Sequence, residues 1–183
     1  MILDFDIEIH VFYFAHTNLC LESIMMITFV FFFYLLKLGV PAKKLVIEAA
    51  FYTRIWKDVA SINNGLYQSG AATNGIDFKD FDTKLTKDKG WNYFWDEKVQ
   101  APYWYNEKEQ LFATGDDLKS VGVKTRYAIK KKLGGIMFWE LILDKKPKWN
   151  GGEHIENGAS RKIKTVQLKT AKEIAQQQGQ TKN

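Results

Sequence analysis

Apolar and polar positions divide the chain into four stretches of different rhythm. Residues 1–38 are strongly apolar, and Ile24 to Leu36 (IMMITFVFFFYLL) is interrupted only by Thr28 and the amphipathic Tyr34. That run falls short of the ~18–20 apolar residues that a bilayer-spanning helix needs. A buried helix or a signal-like apolar segment is preferred, although an all-round apolar surface is unusual for a helix at the edge of a domain. Gly39 and Pro41 punctuate a stop, and Leu45 to Phe51 (LVIEAAF) then reads as a short buried strand. From 57 to 115, aromatic pairs alternate with Gly, Asn and Asp at turn spacing, which predicts short strands and loops, an α+β insert.

Asp116 to Lys132 carries helical signals. Asp116, Asp117 and Ser120 offer caps, Leu118, Val121, Val123, Tyr127 and Ile129 supply apolar positions, and Lys130 to Lys132 suit the negative end of the helix dipole. Gly134 and Gly135 are expected to end that helix, and Ile136 to Leu143 (IMFWELIL) reads as a second apolar strand. Strand, insert, helix and strand make a βαβ-type alternation, so the expected class is α/β with a parallel sheet. Beyond Pro147 the apolar signal fades into a tail rich in Gly, Gln and Lys, predicted to be disordered or loosely helical.

Composition changes this picture in three places. The chain has 183 residues, room for one domain or a domain with a small satellite, and less than the ~250 of a complete (β/α)8 barrel. Aromatics reach 15%, with 13 Phe, 8 Tyr and 6 Trp, and such rings serve either as core or as platforms for flat amphipathic ligands. Of the net charge of +5, residues 151–183 hold +3 through Arg161, Lys162, Lys164, Lys169, Lys172 and Lys182 against Glu153, Glu156 and Glu173. A basic tail on a near-neutral body is weak evidence for a phosphate-binding face, so no nucleic-acid partner is expected. The lone Cys20 excludes an intramolecular disulfide framework and a cysteine-based zinc site. The N-terminus lacks the pattern of a secretory signal, which leaves the compartment open.

Candidate chemistry is sparse. No glycine-rich phosphate loop is present: Asn64-Gly65 and Gly134-Gly135 read as turn and cap glycines. His10, His16 and His154 lack metal-ligand spacing, and His154-Ile-Glu156 has no Cys-x-x-Cys partner, so neither a metal nor a cofactor is expected. What remains is carboxylates beside aromatics: Trp95-Asp96-Glu97 ahead of Ala101-Pro102-Tyr103, and Trp139-Glu140 in the last apolar strand. Trp139 at the carboxyl end of a parallel strand is either packed core or a ring exposed at a barrel mouth, where an indole suits the apolar face of a sugar.

Taken together, these pieces resemble a known family. Leu38-Gly-Val-Pro-Ala-Lys-Lys-Leu-Val-Ile, Phe51-Tyr-Thr-Arg54 with Trp56, Asn64-Gly-Leu-Tyr67, Gly90-Trp91, Trp95-Asp-Glu97, Ala101-Pro-Tyr103, Asp116-Asp117 with Ser120 and Lys124, and Leu133-Gly-Gly-Ile-Met-Phe-Trp-Glu140 follow the order and rough spacing of family 18 glycoside hydrolases, the chitinases. The resemblance covers about residues 37–146. It implies a partial (β/α)8 barrel, strands six to eight, with a small α+β insertion domain: residues 1–56 for strands six and seven, 57–115 for the insertion, 116–150 for the last helix and strand, and 151–183 for the tail. It further implies Trp139 beneath the sugar at the cleavage subsite, and Tyr52 and Arg54 at the end of strand seven. Trp95, Asp96, Glu97 and Tyr103 are implied near the groove wall, some of them structural. The implied ligands are chitin or N-acetylglucosamine oligosaccharides.

The departures bear on activity. Family 18 chemistry is substrate-assisted, the N-acetyl oxygen attacking while one glutamic acid protonates the leaving oxygen. That acid ends an Asp-x-x-Asp-x-Asp-x-Glu run, which the sequence lacks; Asn74 to Phe81 is only a decoy with Phe81 at the donor position. Met1-Ile-Leu-Asp4-Phe5 matches a remnant of the strand-six motif, with Asp4 the one acid retained. Glu48 stands where the family usually has glycine, and Gly115 where an aromatic is common. The expectation is therefore a chitinase-like hydrolase fragment, inactive alone. The alternatives are a chitin-binding lectin-like protein and a membrane-associated protein anchored by Ile24–Leu36.

Overall fold

The computed structural model describes residues 9–10, 33–145, 148–150, 153–155, 163 and 167. Asp4 and residues 24–32 of the apolar run lie outside them, and residues 33–37 form a helical turn. Among the described residues no helix is long and apolar enough to cross a membrane.

Two sheets of opposite character share one core. The first is parallel, with β1 (Ile9–His10), β2 (Leu45–Ala50) and β8 (Gly135–Trp139) in that order. β2 begins where Pro41 and the single turn Ala42–Lys44 end, and its side chains alternate: Leu45, Ile47 and Ala49 are fully buried, while Val46, Glu48 and Ala50 are half-buried. The buried set packs on helix α2 (Leu118–Lys130), with Ala128 and Val121 among its partners. The alternate set therefore faces away from the helix.

The second sheet is antiparallel, five strands in the order β4-β3-β7-β6-β5, built from β3 (Thr53–Lys57), β4 (Ala71–Thr73), β5 (Trp91–Asp96), β6 (Ala101–Asn106) and β7 (Leu111–Gly115). It starts at Thr53, four residues ahead of the edge that composition draws at 57, because Thr53–Trp56 already pair with Gly115–Phe112. A short helix α1 (Phe81–Lys84) lies between β4 and β5. The aromatic excess is largely spent here on packing. Phe94 stacks on Tyr103 at 5.1 Å between ring centres, and Tyr103 on Phe112 at 5.4 Å, a ladder across three strands.

Phe51 joins the two sheets. It is fully buried, its ring stacks on Phe138 at 5.3 Å, its N–H donates to the Trp139 carbonyl, and its own carbonyl accepts from the Phe78 N–H. Around it Ala49, Ile55, Phe78, Phe81, Trp91, Trp104, Ala113 and Val121 form one cluster. Ile163 is buried in that same cluster, and Lys148–Asn150 pairs antiparallel with Glu153–Ile155, so part of the stretch that composition marks as tail is ordered.

Two elements end earlier than their apolar pattern. The helix stops at Lys130, with Lys132 in the left-handed region rather than either glycine. Gly134 has a different reason to be glycine: a Cβ there would sit 2.3 Å from the Lys43 carbonyl, where the Gly134 N–H reaches the Leu45 carbonyl. The last strand stops at Trp139, because its pairing partner β2 ends at Ala50 and the chain then turns into the other sheet. Leu141–Leu143 form a single tight turn instead, with Leu141 61% and Ile142 73% exposed.

One buried ion pair closes the β2 edge. The backbone groups of Leu45 and Phe51 point toward β8, so those of Glu48 and Ala50 point the opposite way, beyond the two-residue pairing with β1. Lys124 of α2 donates to the Glu48 carbonyl at 2.9 Å and to Asp116 Oδ2 at 2.5 Å, and Asp116 Oδ2 accepts the Ala50 N–H at 2.8 Å. Asp116 Oδ1 takes the Ser120 hydroxyl at 2.8 Å, while Asp117 and Ser120 cap the helix reciprocally. Removing one partner of so buried a pair leaves an uncompensated charge. Lys124→Ala is expected to lower stability by about 3 kcal/mol in urea unfolding, and Lys124→Met to recover little, because Asp116 stays unpaired.

Candidate functional site

The carboxyl ends of β2 and β8 lie side by side. Ala50 pairs with Trp139, and Glu48 with Met137, so all four share the face turned away from α2. Trp139 is 49% exposed, which answers the choice between core and surface in favour of surface. Its peptide bond to Glu140 is cis. Tyr52 lies one residue beyond Phe51, between β2 and β3, and bridges to Asp77, and the Arg54 guanidinium stands 5.4 Å from the centre of the Tyr52 ring. Burial, and then the charge of Glu48, push the Tyr52 phenol above its usual range, with Arg54 opposing. Glu48 is likewise raised, first by burial, although Lys124 and Arg54 pull it back.

The other candidates lie in the antiparallel sheet, and most of their polar atoms are already engaged. Asp96 is buried and accepts from the Tyr67 hydroxyl at 2.8 Å and from the N–H groups of Lys98 and Val99, which organises the turn between β5 and β6. Glu97 accepts from the Gln100 side chain on that turn. Tyr103 is buried in the aromatic ladder. Trp95 lies under Lys119, whose Nζ is 3.5 Å from the ring centre, and its Nε1 is buried without a hydrogen-bond partner. Next to it, Tyr93 donates to Asp117 Oδ2 at 2.9 Å. Through Tyr93 and Trp95, β5 is fastened to the first turn of α2. Sequence reasoning passed over this fastening and the Asp116–Lys124 pair, since both depend on contacts between distant segments. Among the described residues no three His, Cys, Asp or Glu side chains gather where a metal ion would fit.

The sequence that builds this parallel strand pair and its inserted antiparallel sheet matches one family model over residues 15–144, that of the glycosyl hydrolases family 18. The chain belongs to glycosyl hydrolase family 18. It is 40% identical over 115 residues to chitinase A1 of Niallia circulans, an alignment covering 58% of this chain and 16% of that protein. Among solved structures, the family 18 N-acetylglucosaminidase of Paenibacillus barengoltzii matches at 38% identity and TM-score 0.59, over 64% of this chain and 34% of that one. Chitinase ChiA74 of Bacillus thuringiensis matches at 28% identity and TM-score 0.63, over 73% and 24%. The family 18 chain thus spans a quarter or less of these two chitinases and about a third of the glucosaminidase. The fold is a mixed α/β part of the family's barrel, with no closed barrel among the described residues.

The Tyr93–Asp117 contact gives a pH test. Burial first, then the neighbouring Asp117, hold the Tyr93 phenol well above its ordinary 10.0. The unfolded chain therefore loses this proton first, and stability present below pH 10 falls as the pH rises. Tyr93→Phe is expected to cost about 1 kcal/mol at pH about 8 and to flatten part of the fall by pH about 10.5, read by urea unfolding at both.

Proposed function

We propose that this chain forms one side of an N-acetylglucosamine-polymer groove of a chitinase-type hydrolase and does not cleave by itself. In this reading β1, β2 and β8 are barrel strands six to eight, and the five-stranded sheet is the insertion domain. Trp139 is the platform for a sugar ring, with Tyr52 and Arg54 beside it. Trp95 and Glu97 belong to the wall, while Asp96 and Tyr103 keep that wall in shape. The exposed indole at the end of β8 is the observation that carries the proposal, because an aromatic face open to solvent at paired strand ends suits the apolar face of a pyranose.

Two solved chitinases of like fold support the ligand class: that of Ostrinia furnacalis, at 22% identity, is in complex with allosamidin, and the Cycas revoluta class V mutant, at 21%, with (GlcNAc)3. The predicted lack of turnover rests on the sequence, where no Asp-x-x-Asp-x-Asp-x-Glu run occurs. Substrate-assisted cleavage still needs an acid to protonate the departing oxygen, and Trp139, Tyr52 and Arg54 offer none at neutral pH. An exposed platform without a proton donor equally supports the lectin-like reading, which differs only in affinity.

The purified chain is expected to release no fluorophore from a chitobiose glycoside above background. Calorimetry with tetra-N-acetylchitotetraose is expected to show weak binding that Trp139→Ala reduces about tenfold, equivalent to about 1.4 kcal/mol. Cleavage abolished by substituting one of the chain's own carboxylates would contradict the proposal. Binding that is tight and lost on Trp139→Ala would select the lectin-like form.

A further inference from the structure

The end of the fold away from Trp139 has a charge pattern of its own. Two connections build it: residues 33–44, which lead into β2, and residues 131–134, which lead from α2 into β8. Backbone and packing join them. The Gly134 N–H donates to the Ala42 and Leu45 carbonyls, and Leu35, Leu36 and Val40 pack in one cluster with Tyr127 and Leu133. β2 is six residues long, so about 17 Å of strand separates this end from the carboxyl end where Trp139 stands.

Lys37, Lys43, Lys130, Lys131 and Lys132 are all exposed there, and neither 33–47 nor 118–139 contains an Asp or Glu. The end of α2 accounts for only part of this charge, since a helix terminus presents about half a negative charge against the full charges of Lys130, Lys131 and Lys132. Beside the lysines, the turn ahead of Gly39 leaves Phe33 54%, Tyr34 58% and Leu38 62% exposed. Lys37 Nζ stands 4.8 Å from the centre of the Phe33 ring, so cation and aromatic are presented together.

We propose that this end is a docking surface for an anionic lipid bilayer, its lysines meeting the headgroups while Phe33, Tyr34 and Leu38 enter the interfacial layer. Charge complementarity selects the anionic partner: each lysine held near such a surface adds attraction that fades within a Debye length. The exposed rings and leucine select a bilayer over a soluble polyanion, which would leave that apolar surface in water. Tyr34 suits the headgroup level, where one side of its ring is apolar and its hydroxyl is wet. The contact lies on the membrane and does not span it, in keeping with the lack of a crossing helix among the described residues. It is independent of the sugar platform, and it turns the carboxyl ends of β2 and β8 away from the bilayer.

Co-sedimentation of the full chain with vesicles tests this, comparing phosphatidylcholine alone with phosphatidylcholine holding about one-third phosphatidylserine, at about 0.05 M and about 0.5 M salt. The chain is expected to bind the anionic vesicles only, and more weakly at the higher salt. Lys130→Gln/Lys131→Gln/Lys132→Gln is expected to weaken binding about a hundredfold, and Phe33→Ser/Leu38→Ser about tenfold, at exposed positions that leave the urea midpoint in place. Equal binding to neutral vesicles, undiminished binding by the triple lysine variant, or no binding at all would overturn the proposal. Binding of a short DNA duplex as tight as that of the vesicles, with Phe33→Ser/Leu38→Ser leaving vesicle binding unchanged, would make this a face for soluble polyanions and overturn the lipid assignment.

Discussion

The Asp116 carboxylate is the point on which the described structure turns. Three donors from two segments meet there: the Ala50 N–H at the end of β2, and from α2 the Ser120 hydroxyl in the first turn and the Lys124 ammonium one turn further along. Asp116 follows directly on β7, so the same side chain also fixes where the antiparallel sheet hands the chain back. A buried pair of this kind adds little net stability against an apolar substitute, because desolvation offsets attraction. Its effect is on alternatives. Sliding α2 along β2, or β7 away from β2, would strand a charge in the core.

That constraint sets the geometry of the candidate groove. With β2 held by Asp116 and Lys124 on one edge and by β8 on the other, Ala50 and Trp139 end level, and Phe51 and Tyr52 turn the chain into the second sheet. Trp139 consequently projects from a rigid strand end beside the five-stranded sheet rather than from a loop. The sheet itself is held against α2 by the Tyr93–Asp117 hydrogen bond and the Lys119–Trp95 contact. The strand end that carries Trp139 and the five-stranded sheet thus share their fixings.

How far this could be read from the sequence follows the range of the interactions concerned. Leu45 to Phe51 announced a strand because its apolar run is short and bounded by turn residues, and Asp117 with Ser120 announced a helix start because capping is local. The overrun of the last strand to Leu143 was illegible for the opposite reason: Leu141 and Ile142 are as apolar as any strand residue, and only the end of β2 at Ala50 denies them a partner. The site residues divide similarly. Trp139 was flagged with two outcomes left open, and exposure separates them. Trp95, Asp96 and Tyr103 carried the same aromatic-plus-acid signal, yet Asp96 is occupied by a turn and Tyr103 by a ring ladder. Glu48 was visible only as a residue out of place in a family pattern, and in the structure it lies in register with Met137.

The central claim is that Trp139 is a ligand platform, whereas the core residues Trp91 and Trp104 are scaffold. Assignment of the indole N–H signals in a heteronuclear NMR spectrum, followed by titration with tri-N-acetylchitotriose, tests it directly. The account predicts that the Trp139 signal shifts in a saturable way while those of Trp91 and Trp104, which are buried in the shared core, stay in place. No movement of Trp139, or equal movement of the buried indoles, would contradict it.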